Sequence, residues 1–113
     1  MHEAGIVAGA LSMAREIAVG KGGGRITRMV LTVGSLSSVV PEALENAFRA
    51  LSHGTMAEGA SLEVEWVEAC CRCSTCGSDF EFAGNGYVCP GCGEPSMVIL
   101  RGRELELKTV EWI

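Results

Sequence analysis

The chain has 113 residues, 48% hydrophobic and 20% charged, with a formal charge of -5. That length allows one modest core, or one core with a metal-stapled appendage, and excludes two independent apolar domains; the composition is too apolar for a disordered chain. The acidic balance argues against nucleic acid as a partner, no apolar run approaches the roughly 18 residues of a membrane span, and the start Met1-His2-Glu3 lacks the segments of a signal peptide, so a cytoplasmic protein without a membrane partner is expected.

Residues 4–19 place Ile6, Val7, Ala10, Leu11, Ala14, Ile17 and Ala18 at i, i+3, i+4 and i+7 spacing, with Ser12, Arg15 and Glu16 opposite. This predicts an amphipathic helix. Gly20-Lys21-Gly22-Gly23-Gly24 ends it as a connector. It is no phosphate-binding loop, because it follows a helix and precedes a strand. Arg25 to Leu36 predicts a largely buried strand, with Met29, Leu31 and Val33 on one face and Val30 and Thr32 on the other. Ser37-Ser38-Val39-Val40-Pro41 reads as a helix entrance in which serine oxygens cap free N–H groups and proline sits in the first turn. That second helix carries the stripe Leu44, Ala47, Phe48 and Leu51 and runs to about His53, where Gly54 stops it. Leu62, Val64 and Trp66 alternate with Glu63 and Glu65, a strand with one solvated face. Leu105 and Leu107 start a last strand whose phase slips after Thr109, so that Val110 and Trp112 are apolar; a bulge or burial on both faces would explain it.

Between these last two strands lies a cysteine-rich insertion with too few apolar residues for a core of its own. The expected division is an α/β unit of residues 1–69 and 98–113 and a subdomain of residues 70–97. In a reducing compartment six cysteines point to metal rather than to disulfides. Cys73-Ser74-Thr75-Cys76-Gly77 and Cys89-Pro90-Gly91-Cys92-Gly93 are two Cys-x-x-Cys knuckles with twelve residues between them. Facing each other, two such knuckles make a tetrahedral thiolate site that suits zinc.

Cys70 and Cys73 also have that spacing, but only the Cys73/Cys76 pair is followed by the glycine that a knuckle exit needs, as the second pair is by Gly93. The expected zinc ligands are therefore Cys73, Cys76, Cys89 and Cys92, and Cys70 and Cys71 are left as thiols at a strand end, with a role in redox or metal exchange as the alternative. Four thiolates leave no open position for water, so the zinc is structural rather than catalytic. With zinc bound the formal charge becomes about -7. Phe80, Phe82 and Tyr87 fit the short strands of a zinc ribbon.

No enzyme motif stands in the body of the chain, and a non-enzyme is expected. A second candidate site is the N-terminus, where the Met1 α-amine, backbone amides and the His2 imidazole can form fused planar chelate rings. Nickel(II) or copper(II) favours such planar nitrogen ligation. The Glu3 carboxylate stands beside it, and equally suits the first turn of a helix. His53 reads as a surface residue near a helix end.

Met1-His2-Glu3, Val33-Gly34-Ser35-Leu36-Ser37, Pro41-Glu42-Ala43-Leu44, Gly54-Thr55-Met56-Ala57-Glu58-Gly59-Ala60 and the two knuckles follow one another in an order that resembles the HypA/HybF family of hydrogenase maturation nickel chaperones, over essentially the full length. The resemblance implies an α+β fold of two helices on a three-stranded mixed sheet with an inserted zinc ribbon. It implies that His2, with the Met1 amine and neighbouring backbone, binds nickel as cargo, that Glu3 supports that site, and that the four chosen cysteines hold zinc. It further implies a maturation GTPase as partner and the large subunit of a nickel-iron hydrogenase as recipient. Two competing readings are a zinc-ribbon nucleic-acid-binding module, for which Arg101 and Arg103 are followed at once by Glu104 and Glu106, and a redox enzyme using Cys70 and Cys71.

Overall fold

The computed structural model describes residues 3–82, 87–95 and 98–113. Helix α1 spans Glu3–Gly20 and α2 Pro41–Ser52. The strands are β1 (Ile26–Gly34), β2 (Ser61–Val67), β3 (Cys70–Arg72), β4 (Asp79–Glu81), β5 (Val98–Arg101) and β6 (Leu105–Trp112). They form two sheets, ordered β2-β1-β6 and β4-β3-β5.

In the first sheet β1 is central, parallel to β2 and antiparallel to β6. The parallel pair is possible because α2 carries the chain back across the sheet, the long crossover that parallel strands need. Alternation along β1 sends Met29, Leu31 and Val33 into one buried cluster with Val7, Ala14 and Ala18 of α1 and Leu44 and Phe48 of α2. Both helices thus cover the same face. This is the expected α+β architecture, with a second small sheet added by the insertion.

The other face of β1 is covered by its own charged neighbours. Val30 and Thr32 are buried there although no helix lies over them. Arg28 pairs with Glu63 of β2 at 2.6 Å and also with Glu111 of β6, and Lys108 reaches Glu65 at 2.6 Å. The heads of these pairs stay largely exposed.

The phase slip in the last strand is a bulge. Val30 pairs with Thr109 and Leu31 with Leu107, so Lys108 is the extra residue. The shift turns Leu107, Val110 and Trp112 toward the same core.

The entrance to α2 differs from the serine-capped expectation. Its N-cap is Val40, with no side-chain cap from its own segment and Pro41 in the first turn. Ser37 instead donates its hydroxyl to Gly34 O at 2.6 Å, closing a 3₁₀ turn over Ser35–Ser37, and Ser38 takes a left-handed φ of 61°. With the serines spent on that turn, the acceptor comes from another helix: the Glu3 carboxylate takes the Val40 N–H at 2.9 Å.

The second sheet is built on β3, which pairs antiparallel with β4 and β5. Val98–Arg101 therefore belongs with the ribbon strands by hydrogen bonding. No helix among the described residues is long and apolar enough to cross a membrane.

Candidate metal centre

The two knuckles have the same construction. In the first, Gly77 N–H bonds to Cys73 O at 2.9 Å and Cys73 N–H to Ser78 O at 2.8 Å; in the second, Gly93 N–H bonds to Cys89 O at 2.8 Å and Cys89 N–H to Glu94 O at 2.9 Å. Each turn needs a left-handed residue at its exit, and Gly77 and Gly93 supply it with φ of 78° and 77°. The glycines that singled out these two pairs in the sequence are thus the residues that close the knuckles.

The repeated turn brings four sulfurs together. The Sγ atoms of Cys73, Cys76, Cys89 and Cys92 all lie within 4.8 Å of one another. Cys73 Sγ is 3.4 Å from Cys92 Sγ, and Cys76 Sγ is 3.8 Å from Cys89 Sγ. A tetrahedral ion with metal–sulfur bonds of about 2.3 Å sets its ligand sulfurs about 3.8 Å apart, so the cluster has the dimensions of such a site. One ligand of each knuckle, Cys73 and Cys89, is buried, and its partner faces solvent.

The electrostatics suit a cation. The Cys76 N–H, 3.4 Å from Cys73 Sγ, holds the Cys73 thiol below its ordinary range, and the Cys92 N–H does the same for Cys89. The Ser78 hydroxyl, 2.9 Å away, lowers Cys76. Cys92 feels a lowering bond from the Glu94 amide, yet hydrogen bonding to the Cys73 sulfur, burial and the remaining thiols push it up to about 12. Four clustered sulfurs cannot all shed their protons beside one another without a positive charge among them. A divalent ion is the natural counter-charge, and binding it releases the protons. Ser78 was not legible as a participant; the only sign of it is that it follows Gly77 as Glu94 follows Gly93.

Cys70 and Cys71 stand apart from this cluster. The pairing of β3 with β5 shifts register between the two. Cys71 packs into the ribbon core with Cys73, Phe80 and Cys89, whereas Cys70 is buried outside that group. Burial pushes the Cys71 thiol up from its ordinary range, and the neighbouring Cys70 thiol adds to the shift. Both are free thiols.

Of the expected N-terminal site, Met1 and His2 lie outside the described residues. Glu3 is described: it opens α1, and its carboxylate holds the α2 N-cap through Val40. His53 is exposed, with Nδ1 2.8 Å from Glu58 Oε2.

The sequence model of the HypA family, described as hydrogenase/urease nickel incorporation, metallochaperone, matches residues 1–112. The chain belongs to the HypA family of nickel metallochaperones. It is 39% identical over 113 residues to the hydrogenase maturation factor HypA of a Picosynechococcus species, covering 100% of both chains. To the hydrogenase maturation factor HypA of Geobacter metallireducens it is 37% identical over 111 residues, 98% of each. The solution structure of the nickel metallochaperone HypA from Helicobacter pylori superimposes with a TM-score of 0.70 at 23% identity, covering 100% of this chain and 98% of that one, a likeness of fold.

Proposed function

We propose that this protein carries nickel(II) at its N-terminus and delivers it to the large subunit of a nickel-iron hydrogenase in the cytoplasm, working with a maturation GTPase and holding a structural zinc ion in its ribbon. The observation that carries the reading is the family match over residues 1–112, which takes in both Met1-His2-Glu3 and the two knuckles.

The chemistry follows from the donor sets. The Met1 amine, backbone amide nitrogens and the His2 imidazole offer planar nitrogen ligation, which nickel(II) accepts readily. Such a plane is open above and below, so an incoming ligand from the recipient can bind before the old ones leave. Ligand exchange then transfers the ion without a free intermediate. Glu3 supports this site from the helix side: its bond to Val40 N–H fixes the first turn of α1 against α2, which gives the preceding residues a fixed point of attachment.

Zinc fits the four-sulfur cluster by donor chemistry and spacing, with Cys73, Cys76, Cys89 and Cys92 as its ligands. When bound it supplies a cross-link between the knuckles and, with all four positions taken by sulfur, no catalysis. The cargo ion and the structural ion are thus kept on different donor types, nitrogen at the N-terminus and thiolate in the ribbon.

A transfer assay tests this reading. Nickel-loaded protein is mixed with nickel-free hydrogenase large subunit, the two are separated, and nickel is counted in each. Transfer from the wild type and none from His2→Ala is expected. Equal transfer from both would overturn the N-terminal site, and no transfer from either would overturn the assignment of the recipient.

A further inference from the structure

The segment between β1 and α2 touches both the base of the ribbon and the start of α1. At its start, Leu36 N–H bonds to Gly102 O at 2.8 Å, Gly34 N–H bonds to Glu104 O at 2.7 Å, and the Ser35 hydroxyl accepts the Ala69 N–H at 2.9 Å. Ala69 and Gly102 flank the second sheet: Ala69 precedes β3, and its carbonyl accepts the Phe82 N–H at 3.1 Å, while Gly102 follows β5. At its far end, Val40 N–H bonds to the Glu3 carboxylate at 2.9 Å. Residues 34–40 therefore bridge the base of the ribbon and the first turn of α1.

The ribbon end of this bridge is packed backbone on backbone. A Cβ on Gly34 would land on the Gly102 carbonyl, and one on Gly102 would lie 2.6 Å from Ala69 Cα. Gly102 also has a φ of 118°, and its N–H is held by Glu104 Oε1 at 2.8 Å. Contact this close leaves no room for sliding, so the junction transmits position as a packed core does. Such a joint is the opposite of a flexible linker, whose backbone groups are solvated.

We infer that Ser35, with the Gly34–Gly102 contact, is a positioning residue for nickel: it fixes segment 34–40 on the ribbon base, and through Val40 and Glu3 it holds the nickel-binding N-terminus in register with the zinc ribbon. This rests on the nickel site proposed above. Ser35 touches neither metal site, so its effect on nickel is an effect of placement. The consequence is that the first turn of α1, from Glu3 on, is tied to the ribbon base through this one segment.

The test uses zinc-loaded, untagged full-length protein and nickel(II) as the probe. Nickel dissociation is followed by stopped flow into a chelator, and amide resonances report Glu3 and Val40. Ser35→Ala is expected to speed nickel release by roughly two- to thirtyfold and to shift both resonances, with one zinc retained. Ser35→Thr, which keeps the hydroxyl, should restore the wild-type rate. Gly102→Ala should act in the same direction; if it does not fold, the serine pair decides alone. Wild-type release from Ser35→Ala, with Glu3 and Val40 unmoved, would overturn the inference, and so would fast release from both serine variants. If the wild type binds no nickel at its N-terminus, the proposed function fails on its own, and the Glu3 and Val40 resonances in Ser35→Ala still decide whether the bridge positions α1.

Discussion

Glu3 takes the part that the glutamate of a capping box plays within its own helix. The third helical residue of α2 is Ala43, which cannot reach back, and the N-cap amide of Val40 is satisfied from α1 instead. A carboxylate there also lies at the positive end of α2. Glu3→Ala should lower stability by about 1 kcal/mol, the ordinary scale of a lost cap, measured as a shift in urea midpoint, and Glu3→Gln should lose less. The cysteines divide in the same residue-by-residue way. Cys73→Ser or Cys89→Ser should reduce bound zinc well below one per chain. Cys71→Ser should keep the zinc while costing about 1–3 kcal/mol, because it places a hydroxyl in an apolar core without a designed partner. Metal analysis beside a denaturation curve separates the two outcomes.

At the scale of elements, the outer face of the first sheet makes stability depend on acid. Hydrogen bonding to Arg28 lowers the Glu63 carboxyl from its ordinary 4.5. A group whose pKa is depressed on folding adds stability above its unfolded value, and loses it as the pH falls through the folded value. Wild type should therefore lose stability toward acid below about pH 4.5 more steeply than Arg28→Ala, with the pairs well exposed and the effect weakened by salt. Urea midpoints from pH 7 to pH 3, compared between the two proteins, give the difference; parallel curves would show that the pair contributes nothing. Most elements were legible because their residues repeat at one period: the stripe of α1, the alternation of β2, and the slip in β6 that is the Lys108 bulge. What stayed hidden depends on distant partners. The α2 cap comes from 37 residues away, and Val98–Arg101 carries an apolar run that shows its pairing with β3 only in three dimensions. The four-cysteine cluster was readable because a knuckle is local, two pairs of cysteines each closed by its own glycine-ended turn. The junction at Gly34 and Gly102 was not, since neither glycine's neighbour is near it in sequence.

For the whole molecule, the radius of gyration is 17.5 Å and the extents are 55 × 25 × 17 Å. A compact globule of this length would have a radius of gyration near 13 Å, so the two sheets lie end to end rather than around one core. Among the described residues the buried cluster of the ribbon is Cys71, Cys73, Phe80 and Cys89, with Phe82, Tyr87 and Ile99 packed against it, which is too small to hold three short strands without a metal. Chelating the zinc should erase the dispersed amide signals of the ribbon while those of β1, β2 and the two helices persist. Equal loss in both parts would mean that the first sheet also leans on the metal. The cysteine cluster lies in the ribbon and the start of α1 across the junction from it, and the proposed function turns on what the N-terminus binds. The most direct measurement is a calorimetric nickel(II) titration of zinc-loaded, untagged protein beside His2→Ala and a form extended by one residue before Met1. One nickel per chain in the wild type and none in either variant is the predicted result; equal binding by all three would place nickel elsewhere and contradict the N-terminal carrier site.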